Sequence, residues 1–212
     1  MDIKQALSLV QQEKEFSLTN GRPKNTWYMY HNHIYGVAEV AKEIASRTTG
    51  LDTSKAYLMG LLHDIGKLRE DVFKRHHGIV GYEMLKDIDK DIAGICITHM
   101  FGTNSNPKMD KKFFDNVDDY NFISTYLKTN KLSEYDKLIQ CCDMLSDARG
   151  FVTIEQRAKD YETRHGIKLP ENALAPRIKL KEYFDDKIGV NIYSLYPLLN
   201  QRKLFINNGA ER

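Results

Sequence analysis

The chain has 212 residues, of which 42% are hydrophobic and 28% charged, and its 31 basic and 29 acidic residues leave a net charge of +2. This length and composition are typical of one folded domain and exclude a largely disordered chain. Because charges of both signs are interspersed, the clustered basic surface of a nucleic-acid binder is also excluded, and no nucleic acid polymer is expected as a partner.

The N-terminal stretch MDIKQALSLVQQEKEF is interrupted by charged residues, so it lacks the apolar run of a signal peptide. No later stretch approaches the ~20 apolar residues of a membrane span, and no membrane partner is expected. The three cysteines, Cys96, Cys141 and Cys142, offer neither a disulfide framework nor a CxxC metal knuckle. We therefore expect a cytoplasmic protein.

Apolar residues recur at three- and four-residue intervals along most of the chain, which is typical of amphipathic helices. The first such segment is 33–49, and the next, 57–68, follows the N-cap candidates Asp52, Thr53 and Ser54. Further segments with this period are 77–88, 90–100, 134–148 and 154–165. Because no alternating strand pattern appears, the sequence predicts an all-α fold.

Residues 101–116, FGTNSNPKMDKKFFDN, are rich in turn-forming residues and closely follow His99. A plain surface connection is the favoured interpretation, and a lid over a substrate is the alternative. Residues 166–212 have the pattern of further helix and apolar packing surface, which could cover the core, close a pocket or form a homodimer. Without a linker or repeat, 1–212 is predicted to be a single domain.

The segment LLHDIGKL, residues 61–68, places His63 and Asp64 side by side among apolar residues. Burying polar groups without partners costs about 2 to 7 kcal/mol, so partners are expected nearby. Four more titratable residues stand on apolar helical segments: His33 and His77 at predicted helix starts, His99 at a helix end, and Asp143 within LIQCCDML.

Each of these residues has an ordinary explanation when taken singly. A lone histidine at a helix end is more often a cap or a satisfied core residue than a ligand, and Asp143 alone would be a buried hydrogen-bond acceptor. Together, however, six imidazole and carboxylate groups on separate helices can satisfy one another around a metal ion. The sequence therefore indicates a metal site.

The pattern resembles the HD superfamily of metal-dependent phosphohydrolases, whose motif is a histidine opening a helix, a later His-Asp pair and a distant aspartate. Here His33 stands in HIYGVAEVA, His63 and Asp64 in LLHDIGK, and Asp143 in LIQCCDMLSD. The resemblance covers about residues 27–150. It implies an HD-domain helical bundle with additional N- and C-terminal helices, the latter in about 151–212.

Two further histidines match the subset of this family that holds two metals. His77 stands in HHGIVGYEML and His99 in ITHM, and the spacing to Gly81 favours His77 over the adjacent His76. The resemblance therefore implies two divalent ions bridged by Asp64, one also held by His33, His63 and Asp143, the other by His77 and His99. Iron or manganese is favoured, and the ligand types also suit cobalt, nickel or zinc.

Lys67 follows the His-Asp pair by about one helical turn, where its ammonium could hold a phosphate oxygen. In relatives carrying HDIGK this lysine commonly has that role; the alternative is a solvated lysine interacting with the helix dipole. Arg149 and Arg157 are weaker candidates for phosphate contacts. Gly66 is expected to allow close helix approach or to end the helix, without a chemical role.

The resemblance implies hydrolysis of a small phosphate ester or anhydride, favouring a nucleotide or dinucleoside polyphosphate, by a metal-activated hydroxide with Asp64 and Lys67 as catalytic residues. Without a GxxxxGK[ST] or GxGxxG motif, any nucleotide would bind as a substrate at the metals. Two alternatives stay open: a di-iron oxygenase, as in the family's inositol- and phosphonate-oxidising members, and a non-catalytic signalling or binding module.

Overall fold

The computed structural model of the protein describes residues 1–101, 114, 117–170 and 172–200. The predicted loop 101–116 therefore lies outside the described residues, except for Phe101 and Phe114. The described helices are α1 (Ile3–Thr19), α2 (Lys24–Ser46), α3 (Thr53–Leu62), α4 (Glu70–Phe73), α5 (His77–Leu85), α6 (Lys90–Thr98), α7 (Val117–Thr129), α8 (Glu134–Met144), α9 (Ile154–His165) and α10 (Ala175–Ile188). The prediction of an all-α fold is confirmed.

The longest helix, α2, begins nine residues earlier than the periodicity predicted. Pro23 precedes its first residue, and Trp27 and Tyr30 extend the core-facing side upstream of Ile34. His33 consequently lies in the middle of the helix, and the prediction that it opens a helix was wrong. The many polar residues in 24–32 obscured the apolar stripe in this part of the sequence.

The segment LLHDIGKL is not a continuous helix, contrary to the prediction for 57–68. Helix α3 ends at Leu62, a turn follows, and a short 3-10 helix spans Lys67–Arg69. Ile65 and Leu68 are nevertheless buried, because the turn keeps both side chains facing the core. The apolar residues therefore keep helical spacing along the sequence, although the backbone hydrogen bonds of α3 do not continue past Leu62.

Gly66 explains why this turn lies so close to α5. A Cβ atom placed on Gly66 would stand 2.3 Å from the His77 carbonyl oxygen and 2.5 Å from the Gly81 nitrogen. These are backbone atoms that cannot move aside without shifting α5. The predicted role of Gly66 in close approach agrees with this contact, which brings the turn carrying Asp64 against the first turn of α5.

Helix α8 ends at Met144, four residues before the predicted end at 148. The chain then forms a small antiparallel hairpin, β1 (Ser146–Asp147) and β2 (Gly150–Phe151). The Asp147 carboxylate accepts hydrogen bonds from the backbone nitrogens of Arg149 and Gly150, at 2.7 and 3.1 Å. This local turn competes with helix continuation, as short acidic side chains commonly do.

The C-terminal helices pack against the same core as the rest of the chain. Helix α10 contacts α8 and contributes Leu180 and the fully buried Phe184, and a 3-10 helix, Ile192–Leu195, adds two more buried residues. One contiguous apolar cluster includes residues from Ala6 in α1 to Leu199. Among the described helices, none has the length and apolar character needed to span a membrane.

Candidate metal centre

The six predicted ligands come from five places in the chain and lie together. His33 is on α2, His63 and Asp64 directly follow α3, His77 is the first residue of α5, His99 directly follows α6, and Asp143 is on α8. All four histidines direct Nε2 toward a carboxylate oxygen of Asp64, at 3.3 to 3.9 Å. The turn between α3 and the 3-10 helix is therefore the centre of the cluster.

The two carboxylate oxygens of Asp64 face different pairs of histidines. Oδ2 lies 3.9 Å from Nε2 of His33 and 3.8 Å from Nε2 of His63. Oδ1 lies 3.3 Å from Nε2 of both His77 and His99. Asp64 thus belongs to two ligand groups, each of which has its ligand atoms within 4.8 Å of one another.

Asp143 joins the group that contains His33 and His63. Its Oδ1 lies 3.1 Å from Nε2 of His33 and 3.9 Å from Nε2 of His63. Asp64 therefore stands between a group that contains His33, His63 and Asp143 and a pair formed by His77 and His99.

The orientation of three imidazole rings is set by backbone carbonyl groups. Nδ1 of His33 lies 3.1 Å from the Ser146 oxygen, Nδ1 of His63 lies 2.7 Å from the Gly60 oxygen, and Nδ1 of His99 lies 3.2 Å from the Ile95 oxygen. A carbonyl can only accept, so each of these rings, when neutral, carries its hydrogen on Nδ1 and keeps a lone pair on Nε2. This is the form that binds a metal through Nε2.

Glu70 has the corresponding role for His77, although the sequence did not point to it. Its Oε1 lies 3.1 Å from Nδ1 of His77, and its Oε2 accepts a 2.9 Å hydrogen bond from Nζ of Lys67. A carboxylate behind a ligating histidine fixes the ring and raises its basicity. The sequence signal was only a lysine and a glutamate three residues apart, which is common on any helix.

The cluster fits a bound cation because it presents acceptors without matching donors. Nε2 of His63 and Oδ1 of Asp64 are buried, and neither has a hydrogen-bond partner within the described part of the chain. Nε2 of His77 and Nε2 of His99 face each other at 3.4 Å, which is unfavourable for two lone pairs unless a positive ion lies nearby. Imidazole and carboxylate together suit first-row divalent metals.

The electrostatics of the buried groups favour the protonation states that metal ligands require. Burial lowers the pKa of His63 to about 4, which keeps the ring neutral at neutral pH. Burial opposes ionisation of both aspartates, but His63 and His77 hold the pKa of Asp64 well below its usual range, and His33 and Arg157 do the same for Asp143. Neutral imidazoles and ionised carboxylates are the states that bind metals.

The pKa values of His77 and His99 are shifted in opposite directions, although both rings face Asp64. Burial lowers the pKa of His77, whereas for His99 the neighbouring Asp64 outweighs burial and raises the pKa. A metal at this half of the centre would therefore compete with a proton for Nε2 of His99.

His76 belongs to the support of the site rather than to the central cluster. Its Nδ1 accepts a 3.1 Å hydrogen bond from the Gly78 nitrogen and so caps α5, and its ring stacks on His77 at 4.5 Å. Glu70, His76 and His77 also form a third group with ligand-type atoms close together. Nδ1 of His76 is already used in the cap, and Nδ1 of His77 already contacts Glu70. We therefore assign this group to positioning His77.

The three predicted phosphate-contact residues lie in different surroundings. Lys67 is next to the centre, with Nζ 3.2 Å from Nδ1 of His77, and 45% of its side chain is exposed. Arg149 is 69% exposed and pairs with Asp147 and Asp160. Arg157, by contrast, reaches Oδ1 of Asp143 at 3.4 Å.

Comparison with known protein families gives one result. The model described as HD domain matches residues 30–147, which is more than half of the chain. No curated protein and no solved structure gives a significant match. The matched region includes all six ligand candidates and ends before α9.

Proposed function

Because this chain belongs to the HD domain family, we propose that it is a metal-dependent phosphohydrolase acting on a small phosphate ester or anhydride. A nucleotide or dinucleoside polyphosphate is the favoured substrate class. The observation that carries the proposal is the position of Asp64, whose two oxygens face two separate pairs of histidines. A carboxylate shared in this way suits a centre of two divalent ions, with iron or manganese favoured.

The residues that would hold the ions divide into the two groups described above. When bound, a pair of divalent ions lowers the pKa of a water molecule between them and polarises phosphoryl oxygens. The chain's own contribution is to hold the ligands in place: the carbonyls of Gly60, Ser146 and Ile95 and the Glu70 carboxylate fix the four rings. Fixed rings reduce the reorganisation needed during the reaction.

Lys67 is proposed to hold a phosphoryl oxygen of the substrate. Its ammonium lies beside His77 and is partly exposed, and Asp64 and Glu70 raise its pKa despite burial, so that it stays charged. A fixed positive charge stabilises the negative charge that develops on the transferred phosphoryl group. Glu70 would keep Lys67 on this side of the centre.

The test begins with elemental analysis of protein purified without chelator. Phosphate release, and for dinucleoside polyphosphates the formation of nucleotide products, is then measured for a panel that also includes nucleotides and sugar phosphates, after reconstitution with Mn²⁺ or Fe²⁺. We expect turnover of at least one compound, loss of turnover in Asp64→Ala, and a fall of about 100-fold in kcat/KM in Lys67→Ala with metal content unchanged. Lys86→Ala, which removes an exposed lysine paired with Glu83, is the matched control.

The same panel distinguishes the alternatives. Phosphate release under anaerobic conditions supports hydrolysis and excludes an oxygen-dependent reaction. Protein that contains metal yet hydrolyses no compound of the panel, with either ion, would contradict the proposed function. Protein that neither contains nor takes up a divalent ion would contradict its metal-binding premise.

A further inference from the structure

Arg157 lies on α9, outside the residues matched by the HD domain model, yet it contacts the candidate metal centre. Nη1 donates a 2.7 Å hydrogen bond to the Ser146 carbonyl oxygen, and Nη2 donates to Oδ1 of Asp143 at 3.4 Å. The side chain is 23% exposed. One guanidinium therefore joins two acceptors that belong to different elements, β1 and α8.

His33 contacts the same two acceptors from the other side. Its Nδ1 lies 3.1 Å from the Ser146 oxygen, and its Nε2 lies 3.1 Å from Oδ1 of Asp143. The four residues form a closed ring of contacts. If His33 and Asp143 held a metal ion, the path through Ser146 and Arg157 would be a second link between them.

Ser146 is the most closely packed member of this ring that contacts α2. It is fully buried, and a Cβ placed on Gly36 of α2 would stand 2.0 Å from its Oγ. The hairpin is therefore packed directly against the helix that carries His33. An acceptor held this firmly can transmit the position of Arg157 to the His33 ring.

We propose that Arg157 is a positioning residue for the half of the metal centre formed by His33, His63 and Asp143. The inference rests on the metal-binding part of the proposed function and extends it to the C-terminal helices. Its physical basis is the planar fork of the guanidinium, which can donate to two acceptors at once; the flexible ammonium of a lysine keeps the charge but loses this geometry.

The charge of Arg157 and its geometry predict opposite effects on metal binding. A positive charge beside Asp143 repels a metal ion, so if charge dominated, Arg157→Gln would bind metal more tightly and Arg157→Lys would resemble the wild type. If positioning dominates, both variants bind metal more weakly at this half of the centre. The sign of the change therefore separates the two roles.

The experiment is a Co²⁺ titration of metal-free, full-length protein, followed by visible absorption, which reports the ligand geometry of the ion. It is performed in the wild type and in a His77→Ala background that leaves the His33 half of the centre. We expect Arg157→Lys and Arg157→Gln to raise the Kd for Co²⁺ by about 10- to 100-fold in that background and to change the spectrum.

Arg164 provides a matched control on the same helix. It forms an exposed pair with Asp160 at 2.7 Å, and Arg164→Lys and Arg164→Gln should leave the titration unchanged. Thermal melts of the metal-free variants identify any that fail to fold, and Arg157→Lys, which keeps charge and bulk, is the variant on which the result depends.

An unchanged or lower Kd in Arg157→Lys overturns the inference. The titration requires no turnover, so its outcome is separate from that of the phosphate-release panel. Wild-type protein that binds Co²⁺ but hydrolyses nothing would contradict the hydrolase proposal while this inference could still succeed. Active wild-type protein whose Arg157 variants keep the wild-type Kd would contradict only the inference.

Discussion

At the scale of single residues, the hydrogen bond made by one imidazole nitrogen decides what the other nitrogen can bind. Backbone carbonyls hold Nδ1 of His33, His63 and His99, and Glu70 holds Nδ1 of His77. In a neutral ring whose Nδ1 donates, Nε2 is left as an acceptor, and all four Nε2 atoms face Asp64. The second nitrogen of each ring is already satisfied before any ion binds, which reduces the reorganisation needed for binding.

The two ligand groups should lose metal independently when a residue unique to one of them is removed. His77→Ala is expected to lower the metal content by about one ion per chain, whereas Asp64→Ala should remove both, because Asp64 is shared. Elemental analysis of purified protein measures the content. His165→Ala, which removes an exposed histidine on α9, is the matched control and should leave the metal content unchanged; equal loss in His165→Ala and His77→Ala would contradict the assignment.

Metal-free protein should become less stable as the pH falls from about 6.5 toward 4. Burial lowers the folded-state pKa of His63 to about 4 and that of His76 to about 3, so the unfolded chain takes up these protons first. His63 alone would lose about 3 kcal/mol of the free energy of unfolding across this range. His99, whose pKa is raised, contributes with the opposite sign, and its contribution is lost as the pH rises through its folded pKa.

Urea unfolding in the presence of EDTA, repeated at several pH values, measures this dependence. His63→Gln should flatten the curve, because glutamine does not titrate. A wild-type free energy of unfolding that stays constant between pH 6.5 and 4 would be evidence against the buried, neutral state of His63.

At the scale of elements, an ion pair fastens α1 to the segment that carries Lys67. Glu13 of α1 is fully buried and accepts hydrogen bonds from Nε of Arg69, at 2.8 and 3.1 Å. The Arg69 guanidinium also lies over the Phe16 ring, 4.3 Å from its centroid. The N-terminal helix therefore supports the 3-10 helix Lys67–Arg69 from behind.

Removing the buried carboxylate should leave Arg69 without its partner. We expect Glu13→Ala to lower the free energy of unfolding by about 2 to 4 kcal/mol, less than for a fully buried pair because Arg69 keeps some exposure. Urea unfolding measures the change. Glu15→Ala, an exposed position on the same helix, should change it by less than about 0.5 kcal/mol; equal effects would contradict a special role for Glu13.

How far sequence could anticipate this structure depended on the range of the contacts. The six ligand candidates were identifiable because polar residues on apolar segments stand out locally. Glu70 was not distinguishable from other charged residues, and Arg157 was only a weaker candidate for phosphate contacts, because their partners lie seven and fourteen residues away across turns. Arg149, closer to Asp143 in sequence, pairs instead with Asp147 and Asp160, which the local hairpin brings within reach.

The residues at which helices end were harder to predict than the helices themselves, because those ends also depend on contacts between distant segments. The apolar spacing of LLHDIGKL continues past Leu62, so periodicity alone could not show that α3 stops there. The turn is set by the approach of α5 to Gly66, a contact between segments separated by a short helix. Local pattern predicts which side of a segment faces the core, whereas packing decides where the helix ends.

At the scale of the whole molecule, the candidate centre joins α2, α5, α6 and α8 to the turn after α3. An ion that binds only the folded chain stabilises it by mass action. Chelation should therefore destabilise the entire fold and not the site alone. The effect is about 2.7 kcal/mol for an ion present at 100 times its Kd.

We expect EDTA treatment of metal-loaded protein to lower the thermal midpoint by about 5 to 10 °C, since 1 kcal/mol corresponds to about 2 to 4 °C for a chain of this size. Differential scanning calorimetry measures the shift. Asp64→Ala is the control, because a variant without bound metal should have the same midpoint with and without EDTA. A wild-type midpoint indifferent to EDTA would contradict binding that is coupled to folding.

The close packing of Gly66 against α5 affects which property of the protein is lost when residues near it are substituted. Five successive positions, 63–67, are constrained by four different requirements: His63 and Asp64 by their proposed ligand chemistry, Ile65 by core volume, Gly66 by the space that α5 occupies, and Lys67 by charge. A saturation library scored separately for folding, metal content and turnover would therefore divide this short segment into three mutational classes. Substitutions at Gly66 would impair folding, as substitutions at the buried Ile65 would, although the side chain of Gly66 is a single hydrogen atom.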